Sequence, residues 1–283
     1  SYFVIENIKF IPSTGYITGR PTGVNISVDH IVVRNCEFDG STGDYAGNIS
    51  MMNFGNSSSY AGSSASYIVA YNNLIHDIGD WSSQEDEAAG YQDSRDPTGF
   101  YAEKNSNRLW VLDNTIYKIG ADSIAGCHTV TVELPVEYYY IGRNTIYSND
   151  ENGIDLKGTG YVVISENTLL GPWTDSPGEA IVLHYGANSI GVYNVAVIFN
   201  KIYNSASGVS VTMGNNIDII GNLIYNIKHD VGTYVLTGAA GWSPNPNTSG
   251  YAPGPAIHYR GFTGTARIVD NTLYNYDIGI QVP

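Results

Sequence analysis

Charged residues are scarce in this chain, and positive charge is the scarcer sign. Charged side chains make up 14% of the 283 residues, against roughly 25% in an average soluble protein. Lys and Arg number 13 against 27 Asp and Glu, which gives a formal net charge of −14. Nucleic acids and anionic membrane surfaces are bound by clustered cations. No apolar run approaches the roughly 20 residues of a membrane span. We therefore expect neither nucleic acid nor membrane as a partner.

Cysteine is also rare, with only Cys36 and Cys127 present. Two cysteines do not make a disulfide framework, and no His/Cys cluster has zinc-site spacing. If the repeats described below stack in register, the two residues lie two coils apart. That separation exceeds the roughly 7 Å between Cα atoms that a disulfide tolerates. We predict two free thiols packed in the wall of the fold.

The abundant residues are 32 Gly and 23 Tyr, together with many Asn and Ser. This composition suits a secreted, β-rich protein. The first segment begins at Ser1 without Met and already reads as a strand of a repeat. We expect a module excised from a larger modular protein.

A four-residue phrase recurs along the chain: Asn, any residue, an aliphatic residue and usually an aromatic one. The copies begin at Asn73, Asn114, Asn144, Asn167, Asn200, Asn222 and Asn271, with weaker copies at Asn7 and Asn35. The shortest spacings, 22 and 23 residues, are those from Asn200 to Asn222 and from Asn144 to Asn167. A fixed minimal repeat with variable insertions predicts a solenoid with loops.

The residues before each Asn alternate between apolar and polar, which indicates a half-buried strand. A second strand often follows a Gly, as at 153–157, 208–212 and 279–282. Three short strands per turn, bent at Asn and Gly, predict an all-β, right-handed parallel β-helix of about nine coils. Stacked Asn side chains would satisfy the backbone groups at the bend. We expect one domain over 1–283, with loop insertions at about 78–108 and 231–255.

With this repeat the chain resembles the right-handed parallel β-helix superfamily of polysaccharide-active proteins. It looks most like the β-helical carbohydrate-binding modules appended to plant-polysaccharide hydrolases such as xylanases. A weaker resemblance is to the β-helix polysaccharide lyases. The repeated phrase specifies a fold and does not decide an activity. The resemblance implies a polysaccharide partner.

Aromatic residues crowd the outward positions four and six residues before the repeated Asn. They are Trp110, Tyr138, Tyr140 and Tyr161 on three successive coils and Tyr67 one coil further. Trp173 falls in an insertion, where it either borders the same groove or pins the loop. Exposed aromatics on a rigid sheet offer apolar faces with polar handles, on which a sugar ring can stack. The alternative is that the 78–108 insertion folds over this face and makes it core.

The segment 148–158 resembles the strand that carries the catalytic lysine of β-helix lyases. By that resemblance Lys157 would be the general base, with His184 or Tyr185 as the acid. A base needs a pKa near neutrality, whereas Asp155 on the same face would raise the pKa of Lys157. Aligning 153–157 with 179–183 puts Leu183 beside Lys157, so the arginine of the lyase pattern is missing from the next coil.

The alternative for Lys157 is a structural ion pair with Asp155 or with Glu103, two coils below. The acidic stretch 85–87 is either a solvated loop or a Ca²⁺ site. We expect that the protein requires no cofactor, and the sequence leaves open whether it binds Ca²⁺.

We therefore expect a non-catalytic module that binds a neutral plant polysaccharide such as xylan, covalently linked to a catalytic module. The alternatives are a polysaccharide lyase and a structural or adhesive segment without a sugar site.

Overall fold

A computed structural model describes residues 2–12, 15–18, 23–46, 50–55, 65–79, 97–126, 135–149, 151–171, 179–186, 189–227, 254–261 and 264–282. Within these ranges the chain forms 29 strands and no helix. The described part accordingly contains no helix that could cross a membrane.

Three nine-stranded sheets, paired throughout in parallel, account for 27 of the strands, here numbered in chain order. The first sheet contains β1 (Phe3–Glu6), β5 (Ile31–Arg34), β9 (Ser66–Tyr71), β12 (Asn107–Leu112), β15 (Val136–Gly142), β18 (Thr159–Ser165), β21 (Val192–Ile198), β24 (Gly214–Ile220) and β27 (Ala266–Val269). The second sheet contains β2 (Lys9–Phe10), β6 (Glu37–Asp39), β10 (Leu74–Ile78), β13 (Thr115–Ile119), β16 (Thr145–Tyr147), β19 (Thr168–Leu170), β22 (Lys201–Ser205), β25 (Leu223–Ile227) and β28 (Thr272–Tyr276).

The third sheet contains β4 (Val24–Ile26), β8 (Ser50–Phe54), β11 (Thr98–Ala102), β14 (Ile124–Gly126), β17 (Ile154–Lys157), β20 (Glu179–His184), β23 (Ser207–Val211), β26 (Pro255–Tyr259) and β29 (Ile278–Gln281). A separate pair is formed by β3 (Gly15–Thr18) and β7 (Gly43–Ala46). Each coil gives one strand to each of the three sheets, and the nine coils form the predicted right-handed parallel β-helix.

The core is the stack of inward side chains that the alternation predicted. On the first sheet Leu109 lies in register between Ile68 and Tyr139, and all three are at most 1% exposed. In the ninth coil the corresponding Ala266 is exposed, because β27 has a neighbouring strand on one side only. Burial thus depends on a coil being stacked on both sides.

A ladder of asparagine side chains joins the coils where the first sheet meets the second. Asn167 is typical: its Nδ2 donates to the carbonyl of Ile141 at 3.0 Å and to Oδ1 of Asn200 at 2.9 Å. The Oδ1 of Asn167 accepts two hydrogen bonds from Asn144, one from its backbone N–H at 2.9 Å and one from its side-chain Nδ2 at 3.0 Å. The predicted stacking of Asn at the bend is confirmed from Asn73 to Asn271.

The two weaker copies of the phrase are displaced by one residue from this ladder. Phe38 aligns with the inward Ile75 and is fully buried, and the ladder position of its coil is held by Cys36. Asn35 instead stands one residue before this ladder position, and its backbone is in the left-handed region with a φ of 53°. A slip of one residue exchanges inward and outward faces. The prediction that Asn7 and Asn35 hold the position of the repeated Asn was therefore wrong by one residue in the first two coils.

Cys36 is a buried free thiol, as predicted, whereas Cys127 lies outside the described residues. The expected insertion at 78–108 contains β11 and the start of β12, and the one at 231–255 ends where β26 begins. Residues 80–96 of the first insertion and 231–253 of the second are outside the described residues.

Candidate functional site

The predicted aromatic residues lie on the outer face of the first sheet. Trp110 and Tyr140 are neighbours in register on β12 and β15, and both are half-buried. The outward position two residues earlier in the strand is held by Tyr67 on β9, Tyr138 on β15 and Tyr161 on β18. These side chains are 42%, 45% and 45% exposed. The structure therefore brings five of the six predicted binding residues to one face, while Trp173 lies outside the described residues.

Each of these three tyrosines is a left-handed residue near the start of its strand. Ser66 and Ile68 pair with Asn107 and Leu109, and Tyr67 between them is passed over by the register. Its φ is 57°, and the φ angles of Tyr138 and Tyr161 at equivalent positions are 56° and 53°. Arg108 on the facing strand is passed over in the same way, with a φ of 54°, so the two strands keep equal numbers of residues and each such residue interrupts the regular ladder.

The side chains of the left-handed residues at this position stack into a column, called here the aromatic column: His30, Tyr67, Arg108, Tyr138 and Tyr161. The rings of His30 and Tyr67 are 4.6 Å apart, and those of Tyr138 and Tyr161 are 4.9 Å apart. The Arg108 guanidinium lies between Tyr67 and Tyr138, at 5.2 and 5.1 Å from their centroids. Most ring faces are thus used within the column, so ring edges and hydroxyls are what it presents to solvent.

His30 joins the column although the sequence analysis did not select it. It lies six residues before Cys36, which holds the ladder position of its coil. Counting from the misaligned Asn35 hid this relation. Arg108 has the right offset from Asn114, but its cationic side chain concealed its place among stacked rings.

Tyr193 closes the column at one end, and the sequence analysis missed it as well. Its ring meets Tyr161 edge-on at 5.6 Å and fills the space beside Gly160, where any Cβ would collide with it. Its hydroxyl donates to Glu137, and burial together with that carboxylate raises the pKa of Tyr193. The hydroxyl of Tyr140 is held in a similar way, because it accepts from Ser165 Oγ at 3.0 Å.

The predicted catalytic residues lie on the outer face of the third sheet. Lys157 aligns with His184, and Leu183 aligns with Leu156, so the predicted alignment of Leu183 with Lys157 was wrong by one residue. Asp155 accepts hydrogen bonds from Lys157 Nζ and from His184 Nε2, the latter at 2.7 Å. Asp155, Lys157 and His184 have side chains that are 3%, 13% and 24% exposed.

The electrostatics of this cluster make Lys157 a fixed cation. Burial raises the pKa of Asp155, but the His184 hydrogen bond and the Lys157 charge outweigh burial and lower it to about 2. Burial lowers the pKa of Lys157, but the charges of Asp155 and Asp122 outweigh it and raise that pKa. A general base must give up its proton near the working pH. The arrangement therefore opposes Lys157 in that role and favours the structural ion pair.

Asp122 is a further buried acid that the sequence analysis did not single out. It is 3% exposed and accepts from Asn152 Nδ2 at 3.0 Å. Burial, together with the charges of Glu151 and Asp155, raises the pKa of Asp122 well above its usual value.

Tyr185 is 50% exposed and meets the His184 ring edge-on at 6.1 Å. The arginine that is missing from the next coil is present farther along the same sheet. Register places Lys157, His184, Thr212 and Arg260 in one outward column on four successive coils. Separation in sequence hid this relation, because the insertion before β26 puts Arg260 far from Lys157 along the chain.

Among the described residues one cluster has the geometry of a metal site. Ligand atoms of Glu37, Asp39 and His76 lie within 4.8 Å of one another. The Lys9 ammonium contacts both carboxylates at 2.8 Å, so a cation from the protein itself already serves them. The acidic stretch 85–87 lies outside the described residues, and Ca²⁺ there stays a prediction.

No protein-family model and no curated protein sequence matches this chain. Solved structures do match. PfbA, a surface adhesin of Streptococcus pneumoniae, is 12% identical with a TM-score of 0.52, over 96% of this chain and 69% of the adhesin chain. The A-module of the Azotobacter vinelandii mannuronan C-5 epimerase AlgE6 is 13% identical with a TM-score of 0.51, over 98% of this chain and 79% of the epimerase chain. At these identities the likeness establishes the shared fold, a parallel β-helix.

Proposed function

We propose that this protein is a secreted, non-catalytic module that binds a neutral polysaccharide such as xylan on the outer face of its first sheet. The observation that carries this proposal is the exposed aromatic column beside Trp110 and Tyr140. Rings held by stacking and by the hydrogen bond of Tyr140 lose little conformational entropy when a ligand binds.

The geometry suits an extended chain lying along the helix axis. Neighbouring coils are about 4.8 Å apart, so similar contacts repeat along the column. Ring edges and tyrosine hydroxyls offer apolar area and hydrogen bonds to sugar hydroxyls. The net charge of the chain is −14, and a neutral ligand meets no electrostatic repulsion from it.

The fold neighbours support the general class of partner. One is named as a surface adhesin and the other as an epimerase of mannuronan. The first name agrees with a location outside the cell, and the second agrees with a polysaccharide partner. A covalently linked catalytic module would place such a binding surface on insoluble substrate.

Affinity electrophoresis in gels containing xylan, mannan or soluble cellulose derivatives tests this proposal. Trp110→Ala and Tyr161→Ala should each weaken retention about tenfold, which corresponds to about 1.4 kcal/mol. The matched control is Tyr274→Ala on the second sheet. Tyr274 is 47% exposed, and its ring stacks on that of Tyr225 with centroids 4.7 Å apart. The Tyr274→Ala substitution therefore removes an equivalent ring from another face.

Equal losses in Tyr161→Ala and Tyr274→Ala would contradict the proposal, because the binding face would then be undefined. Absence of retention on every neutral glycan would instead favour a structural or adhesive segment.

The second candidate is a polysaccharide lyase centred on Lys157. Asp155, Lys157 and His184 converge on one face, as such a site requires, but the raised pKa of Lys157 opposes its role as the base. Alginate and polygalacturonate incubated with the protein would then give an unsaturated product that absorbs ultraviolet light. Lys157→Ala should abolish that absorbance and leave retention on neutral glycans intact.

A further inference from the structure

Three basic side chains lie on the outer face of the third sheet, which also carries the acidic Asp155. Lys157, His184 and Arg260 share one outward column with Thr212, on four successive coils. Backbone hydrogen bonds hold this register. The N–H of Thr212 donates to the carbonyl oxygen of Leu183 at 2.9 Å, and the N–H of Arg260 donates to that of Val211 at 2.7 Å. The column therefore presents its side chains at a fixed spacing of one coil.

The charges in this column are not balanced evenly. Lys157 contacts Asp155, which also accepts from His184. Arg260 is exposed and makes no ion pair with any residue that the structure describes. By contrast Arg143 and Arg267 each form a two-pronged contact with a carboxylate. Arg260 differs from them in having no carboxylate at ion-pair distance among the described residues.

A neutral partner orients Arg260. Its Nε donates to Nδ1 of His258 at 2.9 Å. Burial and the Arg260 charge lower the pKa of His258 to about 4, so its ring is uncharged at neutral pH. His258 can therefore hold the guanidinium without cancelling its charge, and this leaves the Nη atoms for a two-pronged contact with an anion.

Two further groups complete the surroundings. Thr212 Oγ1, between His184 and Arg260 in the column, is buried and has no hydrogen-bond partner among the residues that the structure describes. Unsatisfied buried hydroxyls are uncommon and call for a ligand, ion or water. Burial is the larger influence on Glu179 and raises its pKa, whereas the charge of Arg260 acts on Glu179 and lowers that pKa, so the uncharged form of Glu179 is favoured.

We propose that the column Lys157, His184, Thr212 and Arg260 is a second glycan-binding surface, which binds the acidic group of an anionic polysaccharide through Arg260. The acidic group is a carboxylate or a sulfate ester, since a guanidinium fork fits both. This surface is independent of the neutral-glycan face on the first sheet.

Affinity electrophoresis of the whole protein tests the surface, with polygalacturonate and alginate as carboxylate probes, dextran sulfate as the sulfate probe and dextran as the neutral one. Arg260→Gln should weaken retention on at least one class of anionic probe about tenfold or more. The matched control is Arg267→Gln, which removes one positive charge from the first sheet. Arg267 already pairs with Asp218, so its loss should change retention by less than about twofold.

The carboxylate and sulfate arms show which acidic group is preferred. Equal losses in Arg260→Gln and Arg267→Gln would mean that only net charge matters, which overturns the proposal. Absence of retention on all three anionic probes overturns it too. Trp110→Ala should bind anionic probes normally, so failure of the neutral-glycan proposal and failure of this one give different patterns. Thermal unfolding of each variant checks that the fold is intact.

Discussion

Replacing Asp155 by Asn tests whether the third-sheet cluster is held together by its central carboxylate. The Asp155 side chain is 3% exposed and bonds to Lys157 and His184, whose side chains are 13% and 24% exposed. Removing one partner of a buried ion pair costs about 3–5 kcal/mol, because the other charge stays desolvated. Since Asn keeps one acceptor oxygen, we expect a loss near 3 kcal/mol in the free energy of unfolding.

Urea unfolding at neutral pH measures this loss. The double variant Asp155→Asn/Lys157→Met removes both charges of the pair. It should be more stable than Asp155→Asn alone, because no lysine charge is then left buried without the carboxylate.

The same variant has a signature in acid. The folded-state pKa of Asp155 is about 2, below its usual value of 3.8. A lowered pKa contributes stability that is fully present above the unfolded value and is lost as the pH falls towards the folded one. The unmodified protein should therefore lose this contribution between about pH 4 and pH 2, and Asp155→Asn should lack that part of the decline. A loss below about 1 kcal/mol at neutral pH, or an unchanged acid decline, would refute the reasoning.

Two further predictions concern buried polar groups. Asn167→Ala removes four side-chain hydrogen bonds from a fully buried ladder position, and urea unfolding should show a loss of about 4 kcal/mol. Asn271 is partly exposed, so Asn271→Ala should lower the free energy of unfolding by about 1–2 kcal/mol, because water can replace the lost partners. Equal losses for the two variants would contradict this reasoning. Asp122→Asn should leave the protein at least as stable at neutral pH, since the raised pKa of Asp122 means that its ionisation on raising the pH opposes folding. A flatter stability profile above pH 4 would confirm this, and a marked loss at neutral pH would contradict it.

The sequence by itself determined the architecture and the direction in which most side chains point. Asn at the bend and a period-two alternation are short-range patterns, and both survive insertions between coils. They were sufficient to place Leu109 inside and Trp110 outside, and to bring Tyr138 and Tyr161 to one face. A β-helix repeats one local conformation, so local signals were enough.

Only the tertiary structure decided which residues lie side by side in neighbouring coils. Register depends on how each loop closes, and an error of one residue exchanges faces or neighbours. That is why Asn35 was mistaken for a ladder position, why Leu183 was placed where His184 stands, and why Arg260 was missed beside an insertion. The stacking of ring on ring in the aromatic column, and the sharing of Asp155 by Lys157 and His184, arise from packing between coils. Such contacts join residues far apart in sequence, and no pattern within a single repeat encodes them.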